Sequence, residues 1–430
     1  MKQERYDVII AGTGVAGLFC ACSLPSDMRV LMLTKAETEE SDSFLAQGGI
    51  CMLRGREDYT RYFEDTMRAG HYENNPAAVR LMLESSQAVI EELVNRGVEF
   101  AREPDGAFRF TREGGHSRPR ILFHGDETGK AITSALLSCV RAMSNVEIAE
   151  RTEMIDLITA DNECFGAVVR SAGTGETAYV YADFVLLATG GVGGLFESST
   201  NYRHLTGDAL GIALKNGIRT EHLNYVQIHP TTFYTKKQGR RFLISESVRG
   251  EGAKLLDKNG NRFVNELLPR DILTGEIREQ MKKDGTEFVW LDMRPVGEET
   301  LSEHFPTICA HCAEEGYDPR KTPVPVVPAQ HYFMGGIKVD LDARTSMHRL
   351  YAAGETACNG VHGKNRLASN SLLESLIWAQ RAARQIGALR WMRIRRFPEP
   401  DGREYGDYDA LKERYAKEIR ERAEREDCLD

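Results

Sequence analysis

The chain has 430 residues, of which 41% are hydrophobic and 28% are charged, and its formal net charge is −9. That length exceeds what one hydrophobic core normally serves, so we expect two or three domains. The acidic balance argues against a nucleic-acid-binding groove and against a polybasic membrane anchor. We expect no membrane span and no secretion signal, because no apolar run is long enough and no basic region precedes one near the start.

The nine cysteines are scattered along the chain, and only Cys309 and Cys312 form a Cys-x-x-Cys pair. A zinc site would need a second pair of ligands, and a redox motif would need a strand–helix context. We therefore expect two ordinary reduced thiols and no metal. A cytoplasmic location is the default expectation for such a chain.

A strand, a glycine-rich turn and a helix are predicted near the N-terminus. Residues 6–10 form an apolar, β-rich run, the glycines Gly12, Gly14 and Gly17 follow, and residues 18–24 suit a buried helix. Gly12 permits a tight turn, Gly14 lets the backbone approach a pyrophosphate, and Gly17 allows close packing of helix on strand. The start of the helix offers partial positive charge to the same phosphates. The segment predicts a dinucleotide site.

The second predicted strand, residues 30–33, ends in Thr34 and Lys35. A nicotinamide dinucleotide site would carry an acidic residue there to bind the ribose, so this departure disfavours that cofactor. Two further buried strands run into glycines at residues 184–191 and 350–355. Three such strand ends, far apart in the sequence, indicate one nucleotide-binding domain assembled from distant parts of the chain.

The stretch between these strands predicts an inserted domain, because it is rich in charged residues and turns such as residues 257–260 and 323–328. We assign residues 1–220 and 336–390 to two parts of the nucleotide-binding domain, residues 221–335 to the insertion, and residues 391–430 to a shortened helical region. In that last region Leu411, Tyr415 and Ile419 form a narrow apolar seam suited to packing on another surface.

Polar residues at the ends and in the middle of the insertion are candidate site residues: His229, Arg270 and His331. Taken singly, a histidine is more often structural than catalytic, and Arg270 beside Asp271 is commonly a surface ion pair. Arg366 follows shortly after the third glycine-ended strand, and its presence makes a functional role for these residues the better interpretation. A guanidinium grips a carboxylate through two parallel hydrogen bonds, so the joint pattern favours an acidic substrate beside the dinucleotide.

A series of longer motifs carries a family resemblance. The motifs occur in order at residues 46–49, 113–117, 206–208, 229–231, 249–252, 270–271, 331–336 and 366–374. On these motifs the chain resembles the flavoprotein family of succinate dehydrogenases, fumarate reductases and L-aspartate oxidases, with a pattern most similar to the last group, over residues 5–390. The resemblance implies an α/β fold, with a Rossmann-like FAD-binding domain, an inserted α+β capping domain and a short C-terminal helical tail.

The resemblance implies non-covalent FAD as the cofactor. In the succinate-oxidising relatives a histidine just before the motif at residues 46–49 attaches the flavin covalently, whereas Asp42 stands in that place here and cannot form an imidazole bond. With the three glycines of the first turn, the residues matched to flavin-contacting positions are Thr13, Val15, Ala16, Lys35, Ser43, Gln47, Gly48, Gly49, Asp208, Glu355, Ser371 and Leu372.

The resemblance also implies a site for a dicarboxylate. Two carboxylates that leave water need cations or charged donors, and Arg366, His229 and His331 can supply these. Arg270 would face the Cα–Cβ bond of the substrate over the flavin, and the family's reductase chemistry gives this position a proton-transfer role. Since a guanidinium with a pKa above about 12 resists deprotonation, an alternative is that Arg270 holds a carboxylate.

Glu113 is the residue that would discriminate between substrates. L-Aspartate carries an ammonium that succinate lacks, so a carboxylate in the pocket would attract the amino acid and repel the plain dicarboxylate. By itself, Glu113 could equally be a solvated loop carboxylate, but residues 113–117 have the aspartate oxidase form, which implies contact with the amino group. Ser245 and Glu246 match a Thr-Glu pair that contacts the substrate in relatives.

The resemblance implies FAD-dependent oxidation of L-aspartate to iminoaspartate by hydride transfer from Cα to flavin N5, with reoxidation by O2 or fumarate. That reaction is the first step of de novo NAD biosynthesis and implies a functional link to quinolinate synthase. One alternative is the flavoprotein subunit of a fumarate reductase or succinate dehydrogenase, which Asp42 and Glu113 oppose. Another is a flavin-binding protein without catalysis, which the retained arginines and histidines oppose.

Overall fold

The computed structural model describes residues 4–394, 396–399 and 405–427. In these residues the strands are β1 (Glu4–Ala11), β2 (Val30–Leu33), β3 (Ile50–Cys51), β4 (Ile121–Leu122), β5 (Val146–Ala149), β6 (Thr152–Ala160), β7 (Glu163–Ser171), β8 (Thr177–Leu187), β9 (Thr220–Glu221), β10 (Val226–Phe233), β11 (Lys254–Leu256), β12 (Val289–Asp292), β13 (Val324–Phe333), β14 (Gly336–Lys338), β15 (Leu350–Ala352) and β16 (Ala357–Cys358).

The helices are α1 (Val15–Ser23), α2 (Arg56–Ala69), α3 (Pro76–Asn95), α4 (Thr128–Arg141), α5 (Asp208–Lys215), α6 (Glu246–Gly250), α7 (Arg270–Asp284), α8 (Glu298–His304), α9 (Pro306–Glu314), α10 (Asn370–Ala388) and α11 (Tyr408–Asp427). Short 3-10 helices lie at Gly193–Leu195, Arg294–Val296 and Gly354–Thr356. In the described ranges, none of the helices combines the length and the apolar character that a membrane span requires.

A seven-stranded sheet forms the body of the fold. Strands β5, β2, β1 and β8 are parallel, and β8 then pairs with the antiparallel hairpin β7–β6 along one half and with the parallel strand β15 along the other. Ala11 and Ala352 both stand opposite Leu187, so the carboxyl ends of β1, β8 and β15 form one row. The three glycine-ended strands therefore lie in one sheet.

Helices cover this sheet because its strands are apolar on both faces. Residues 8–11 of β1 and 30–33 of β2 are all buried, as expected for parallel strands with helices above and below. Helix α1 follows β1 directly and packs against α10. The two helices therefore begin close to the row of strand ends, where they can present side chains and backbone N–H groups to a ligand.

A separate antiparallel sheet lies in the proposed insertion, in the order β10-β13-β12-β11. Around it the buried apolar side chains form their own cluster, from Phe233 to Val326, that includes Cys312 on α9. Cys309 and Cys312 both remain free thiols. A core of its own supports our proposal that residues 221–335 form a capping domain, and α7 carries Arg270 as its first residue.

The C-terminal helix α11 packs on α5, as its apolar seam predicted. Leu411, Tyr415 and Ile419 are all buried, and Tyr415 lies so close to Gly211 that a Cβ there would be 2.4 Å from the Tyr415 Cβ. The rest of the region at residues 400–404 and 428–430 lies outside the described residues. Helix α11 thus packs on α5 and also contacts β6, because the Tyr415 hydroxyl donates to the carbonyl oxygen of Ile155.

Candidate active site

A single large cavity lies at the carboxyl ends of the central parallel strands, with about 1630 Å³ of empty volume including its opening to solvent. Its wall runs from the turn between β1 and α1 to the first residue of α7. It brings together all the residues named above as cofactor or substrate contacts except Gly17. Residues from several distant parts of the sequence therefore share one site.

The first turn has the geometry expected of a phosphate cradle. Gly12 has a φ of +116°, and a Cβ there would lie 2.0 Å from the carbonyl oxygen of Ala188, so no other residue fits. Gly14 precedes the first turn of α1, which receives no side-chain cap from it, while Ser43 Oγ accepts a hydrogen bond from Val15 N at 3.2 Å. The residues of this helix end line the cavity, and the backbone N–H groups of a helix start suit an anion.

Gly17 does not line the cavity. A Cβ at Gly17 would lie 2.0 Å from the carbonyl oxygen of Gly12, because α1 crosses directly over β1. This residue lets the helix approach the strand, as its place in the motif predicted, and it makes no direct contact with a ligand.

A cluster of charged groups closes one end of the cavity. Lys35 Nζ lies 2.7 Å from Asp208 Oδ2, 2.9 Å from Glu153 Oε1 and 3.1 Å from Thr206 Oγ1. Burial alone would lower the pKa of Lys35, but the two carboxylates outweigh this and raise it. Sequence reasoning predicted Lys35 and Asp208 and missed Glu153, whose strand, β6, carries no motif.

Two acidic residues of the cavity wall, Asp42 and Glu355, are close enough for the charge of one to affect the other. Asp42 Oδ1 accepts a hydrogen bond from Tyr202 N at 3.0 Å, and burial raises the pKa of Asp42 to about 7. Glu355 Oε1 accepts one from Phe333 N at 2.8 Å, and burial together with the charge of Asp42 raises the pKa of Glu355 to about 8. Burial makes the ionised form of both carboxyls unfavourable, so hydrogen-bond donors of a ligand would stabilise it.

The other end of the cavity holds two arginines joined by one carboxamide. Gln227 Oε1 accepts hydrogen bonds from Arg270 Nη1 at 2.8 Å and from Arg366 Nε at 3.2 Å. Its amide nitrogen donates to Asn365 Oδ1 at 2.7 Å and to the carbonyl oxygen of Arg366 at 2.8 Å. Sequence analysis missed this role of Gln227, although the strand period that places residues 227 and 229 on one face was an available signal.

Arg366 is a buried cation held in place on several sides. Its guanidinium donates to Ser371 Oγ and lies 4.2 Å from the centre of the Tyr332 ring. Burial, and then the like charge of Arg270, lowers the pKa of Arg366 to about 10, so the group remains protonated at neutral pH. A bound carboxylate would relieve the repulsion between these two cations.

Two neutral imidazoles complete the donor set. Burial, followed by the charge of Arg270, holds the pKa of both His229 and His331 well below the usual range. His229 Nδ1 lies 3.1 Å from the carbonyl oxygen of Thr231 and 3.2 Å from Thr231 N, and its buried Nε2 has no partner among the described residues. His331 Nδ1 lies 2.8 Å from Thr200 Oγ1. His229 therefore presents a buried ring nitrogen, Nε2, that is available to a ligand in the cavity.

Glu113 faces these cations from the opposite wall. It is 3% exposed, and its two oxygens accept hydrogen bonds from Ser247 Oγ and Ser369 Oγ at 2.6 Å each. Burial, and then the charge of Glu246, raises the pKa of Glu113. The structure excludes the solvated-loop alternative, because the carboxylate lies inside the cavity wall.

Glu246 and Ser245 have mainly structural contacts. Glu246 Oε2 accepts a hydrogen bond from Arg270 Nε at 2.6 Å. Burial would raise the pKa of Glu246, but Arg270 and Arg249 outweigh this and lower it, so Glu246 is the anion that pairs with Arg270. Ser245 Oγ caps α6 by accepting a hydrogen bond from Ser247 N at 3.3 Å. Both residues also line the cavity.

A buried ionic network supports the segment that carries Glu113. Arg120 is completely buried and lies 2.9 Å from Asp58 Oδ1 and 2.8 Å from Asp65 Oδ2. It also donates to His116 Nδ1 at 2.8 Å, so His116 Nε2 carries the proton and donates to the carbonyl oxygen of Ala368 at 3.0 Å. Burial lowers the pKa of His116 to about 4. The network ties residues 113–117 to α2 and to the segment of Arg366.

Comparisons with known proteins agree with this geometry. The family described as "FAD binding domain" matches residues 7–372. The chain is 50% identical to an L-aspartate oxidase of Clostridium perfringens over 383 residues, which cover 89% of this chain and 87% of the relative. It is 47% identical to that of Clostridium acetobutylicum, with 88% and 87% covered. A solved E. coli quinol fumarate reductase mutant has a TM-score of 0.85 at 28% identity, covering 98% of this chain and 74% of that one.

Proposed function

Because this chain belongs to the family of FAD-binding proteins that contains the L-aspartate oxidases, we propose that it oxidises L-aspartate to iminoaspartate. The observation that carries the proposal is the buried carboxylate of Glu113 in a cavity end that also holds the guanidinium groups of Arg270 and Arg366. L-Aspartate has two anionic groups and one cation, so its charges complement this arrangement.

FAD is the cofactor of this family, and the cavity fits it. The tight turn at Gly12 and the start of α1, whose N-cap Gly14 has no side chain, suit the pyrophosphate, and the buried Oε1 of Gln47 has no partner among the described residues. Lys35 and Asp208 would bind the adenosine end. Bound FAD supplies a hydride acceptor, its N5 atom. Since Asp42 carries a carboxyl in place of the imidazole of the succinate-oxidising relatives, the flavin is held non-covalently.

The substrate carboxylates pair with cations and neutral donors. Arg366 offers a bidentate grip to one carboxylate, and His229 donates a hydrogen bond to it when the unpartnered Nε2 carries the ring proton. Arg270 and His331 complete the set around the second carboxylate. Because the two arginines share the oxygen of Gln227, their spacing is fixed before the substrate arrives, which reduces the entropic cost of binding.

The ammonium of L-aspartate pairs with Glu113, and this contact orients Cα for hydride transfer. Ser247 and Ser369 fix the carboxylate, because each donates to one of its oxygens. Arg270 acts as an orienting cation in this scheme, since Glu246 and Gln227 accept hydrogen bonds from two of its nitrogens and fix the guanidinium. Release of one proton from the ammonium to solvent and loss of the hydride from Cα leave the protonated imine.

Reoxidation by O2 or by fumarate returns the enzyme to its starting state, and fumarate fits the same two-carboxylate site. The product iminoaspartate is labile, so we propose that this reaction is the first step of de novo NAD biosynthesis in the cytoplasm and is functionally linked to quinolinate synthase. A second candidate is a fumarate or succinate flavoprotein subunit, which the similarity to quinol fumarate reductases favours. Glu113 and Asp42 argue against it.

Anaerobic flavin bleaching tests the proposal. Purified holoenzyme is mixed with L-aspartate or with succinate. The absorbance band of the oxidised flavin, at roughly 450 nm, is followed over time. We expect rapid bleaching by L-aspartate and none by succinate. Bleaching by succinate alone would establish the second candidate instead, and bleaching by neither would overturn both.

A further inference from the structure

A second cavity lies outside the site described above, with about 610 Å³ of empty volume including its opening to solvent. It is formed between residues 112–117 of the flavin-binding part and residues 267–269 of the capping part. We call it the vestibule. Its charged lining residues are Arg68, Arg112 and Glu113.

The vestibule and the active-site cavity share a wall. Glu113 lines both, and Pro269, on the vestibule side, is followed directly by Arg270 on the active-site side. Gly114, next to Glu113 in this wall, packs directly against Glu246. A Cβ at Gly114 would lie 2.1 Å from Glu246 Oε1. The segment around Glu113 and the start of α7 therefore form part of the boundary between the two cavities.

The outer part of the vestibule is positively charged. Arg112 is exposed and forms no ion pair or side-chain hydrogen bond within the described part of the chain. Arg68, about half exposed, donates to Asp65 Oδ1 at 2.7 Å and to the carbonyl oxygen of Gly115 at 3.2 Å. Arg120 and Ser117 also bind Asp65, so its charge is already compensated. In a chain with a net charge of −9, this local positive charge favours anions.

We propose that the vestibule is the route by which small dicarboxylates enter the active site, with Arg112 and Arg68 as the cations that attract them. The proposal rests on the proposed function, because it concerns the same substrates. Glu113 then has two duties: it stands at the inner end of the route and receives the ammonium of an amino diacid there. A dianion without an ammonium is attracted by the outer arginines and repelled at the inner wall.

Stopped-flow flavin reduction tests the route. Arg112→Glu is compared with Arg414→Glu, an equal change of net charge on the exposed face of α11, a helix that contributes no residue to the vestibule lining. At about 20 mM ionic strength, where charges act over about 20–30 Å, we expect the second-order rate constant for reduction by L-aspartate to fall at least about threefold in Arg112→Glu. The limiting rate at saturating aspartate should stay within about twofold.

Salt gives a second measurement that does not depend on turnover. Succinate binding is followed by its perturbation of the flavin spectrum, and its association rate should fall with salt in the unmodified protein and much less in Arg112→Glu. The effect should be larger for dianionic succinate than for L-aspartate, whose net charge is −1. The salt dependence of the association rate in Arg112→Gln should lie between that of the unmodified protein and that of Arg112→Glu.

The two hypotheses fail in different ways. If L-aspartate does not reduce the unmodified protein, the proposed function is wrong, and succinate association still tests the route. If L-aspartate reduces the protein but Arg112→Glu and Arg414→Glu change the association rates equally, the route is wrong and the proposed function stands.

Discussion

Replacing Glu113 by glutamine should separate amino-acid oxidation from dicarboxylate binding. The change keeps the side-chain shape but removes the charge that faces the substrate ammonium. A hydrogen bond to a charged group contributes about 1.5–3 kcal/mol, and about 1.4 kcal/mol corresponds to a factor of ten. We therefore expect kcat/KM for L-aspartate to fall about 10- to 140-fold. Succinate should bind as well as before or more tightly, because the repelling carboxylate is gone.

The assay is steady-state oxidation of L-aspartate together with succinate binding to the oxidised flavin. Ser247→Ala is the matched control, since it removes one of the two hydroxyl donors to Glu113 and leaves the carboxylate in place. This control should retain most of the activity. A fall in the affinity for both ligands in Glu113→Gln would refute the reasoning, because it would mean that the residue only supports the cavity.

The pH profile gives the same test in another form. Glu113 must be ionised to bind an ammonium, and burial raises its pKa above the ordinary value of 4.5. Activity at subsaturating aspartate should therefore fall towards acid pH through a limb that lies above that value. Ser247 donates to the carboxylate and lowers its pKa, so Ser247→Ala should move the limb to higher pH. Glu113→Gln should have lost this limb.

Three further predictions concern other parts of the site. Gln227→Glu should weaken succinate and aspartate binding without loss of thermal stability, because a carboxylate between Arg270 and Arg366 competes with the substrate anion; unchanged affinity would contradict the bridging role. Acid precipitation should release the flavin completely, since Asp42 offers no covalent link, and yellow colour in the pellet would contradict this. Arg120→Met should lower the free energy of unfolding in urea by about 3–5 kcal/mol, because two buried carboxylates lose their partner; a smaller loss would mean that water compensates them.

Much of the structure of the dinucleotide-binding part could be predicted from local sequence patterns. The run of buried apolar residues and the spacing of Gly12, Gly14 and Gly17 are short-range signals, so strand, turn and helix were predicted close to where β1 and α1 lie. The seam of Leu411, Tyr415 and Ile419 was also correctly predicted to be buried. Such patterns are readable because the period of a helix or strand fixes which residues face the core.

The substrate half was predicted as a set of residues and not as a set of contacts. Glu113 remained ambiguous by itself, because a carboxylate in a glycine-rich loop is ordinarily exposed. Only its burial beside Ser247 and Ser369 removed that alternative. The contacts of Gln227 with Arg270 and Arg366, and those of Arg120 with Asp58 and Asp65, were missed, since these partners lie 43 to 139 residues apart along the chain.

The amino-acid sequence by itself determined the elements, the apolar faces and the types of charged group that the site requires. The tertiary structure decided which of those groups oppose one another: it joined Arg270 and Arg366 through one carboxamide, placed Glu113 between two cavities, and assigned Glu246 to Arg270. The physical reason is that secondary structure depends on local periodicity, whereas the energy of a buried charge depends on whichever distant groups the fold places within a few ångströms of it.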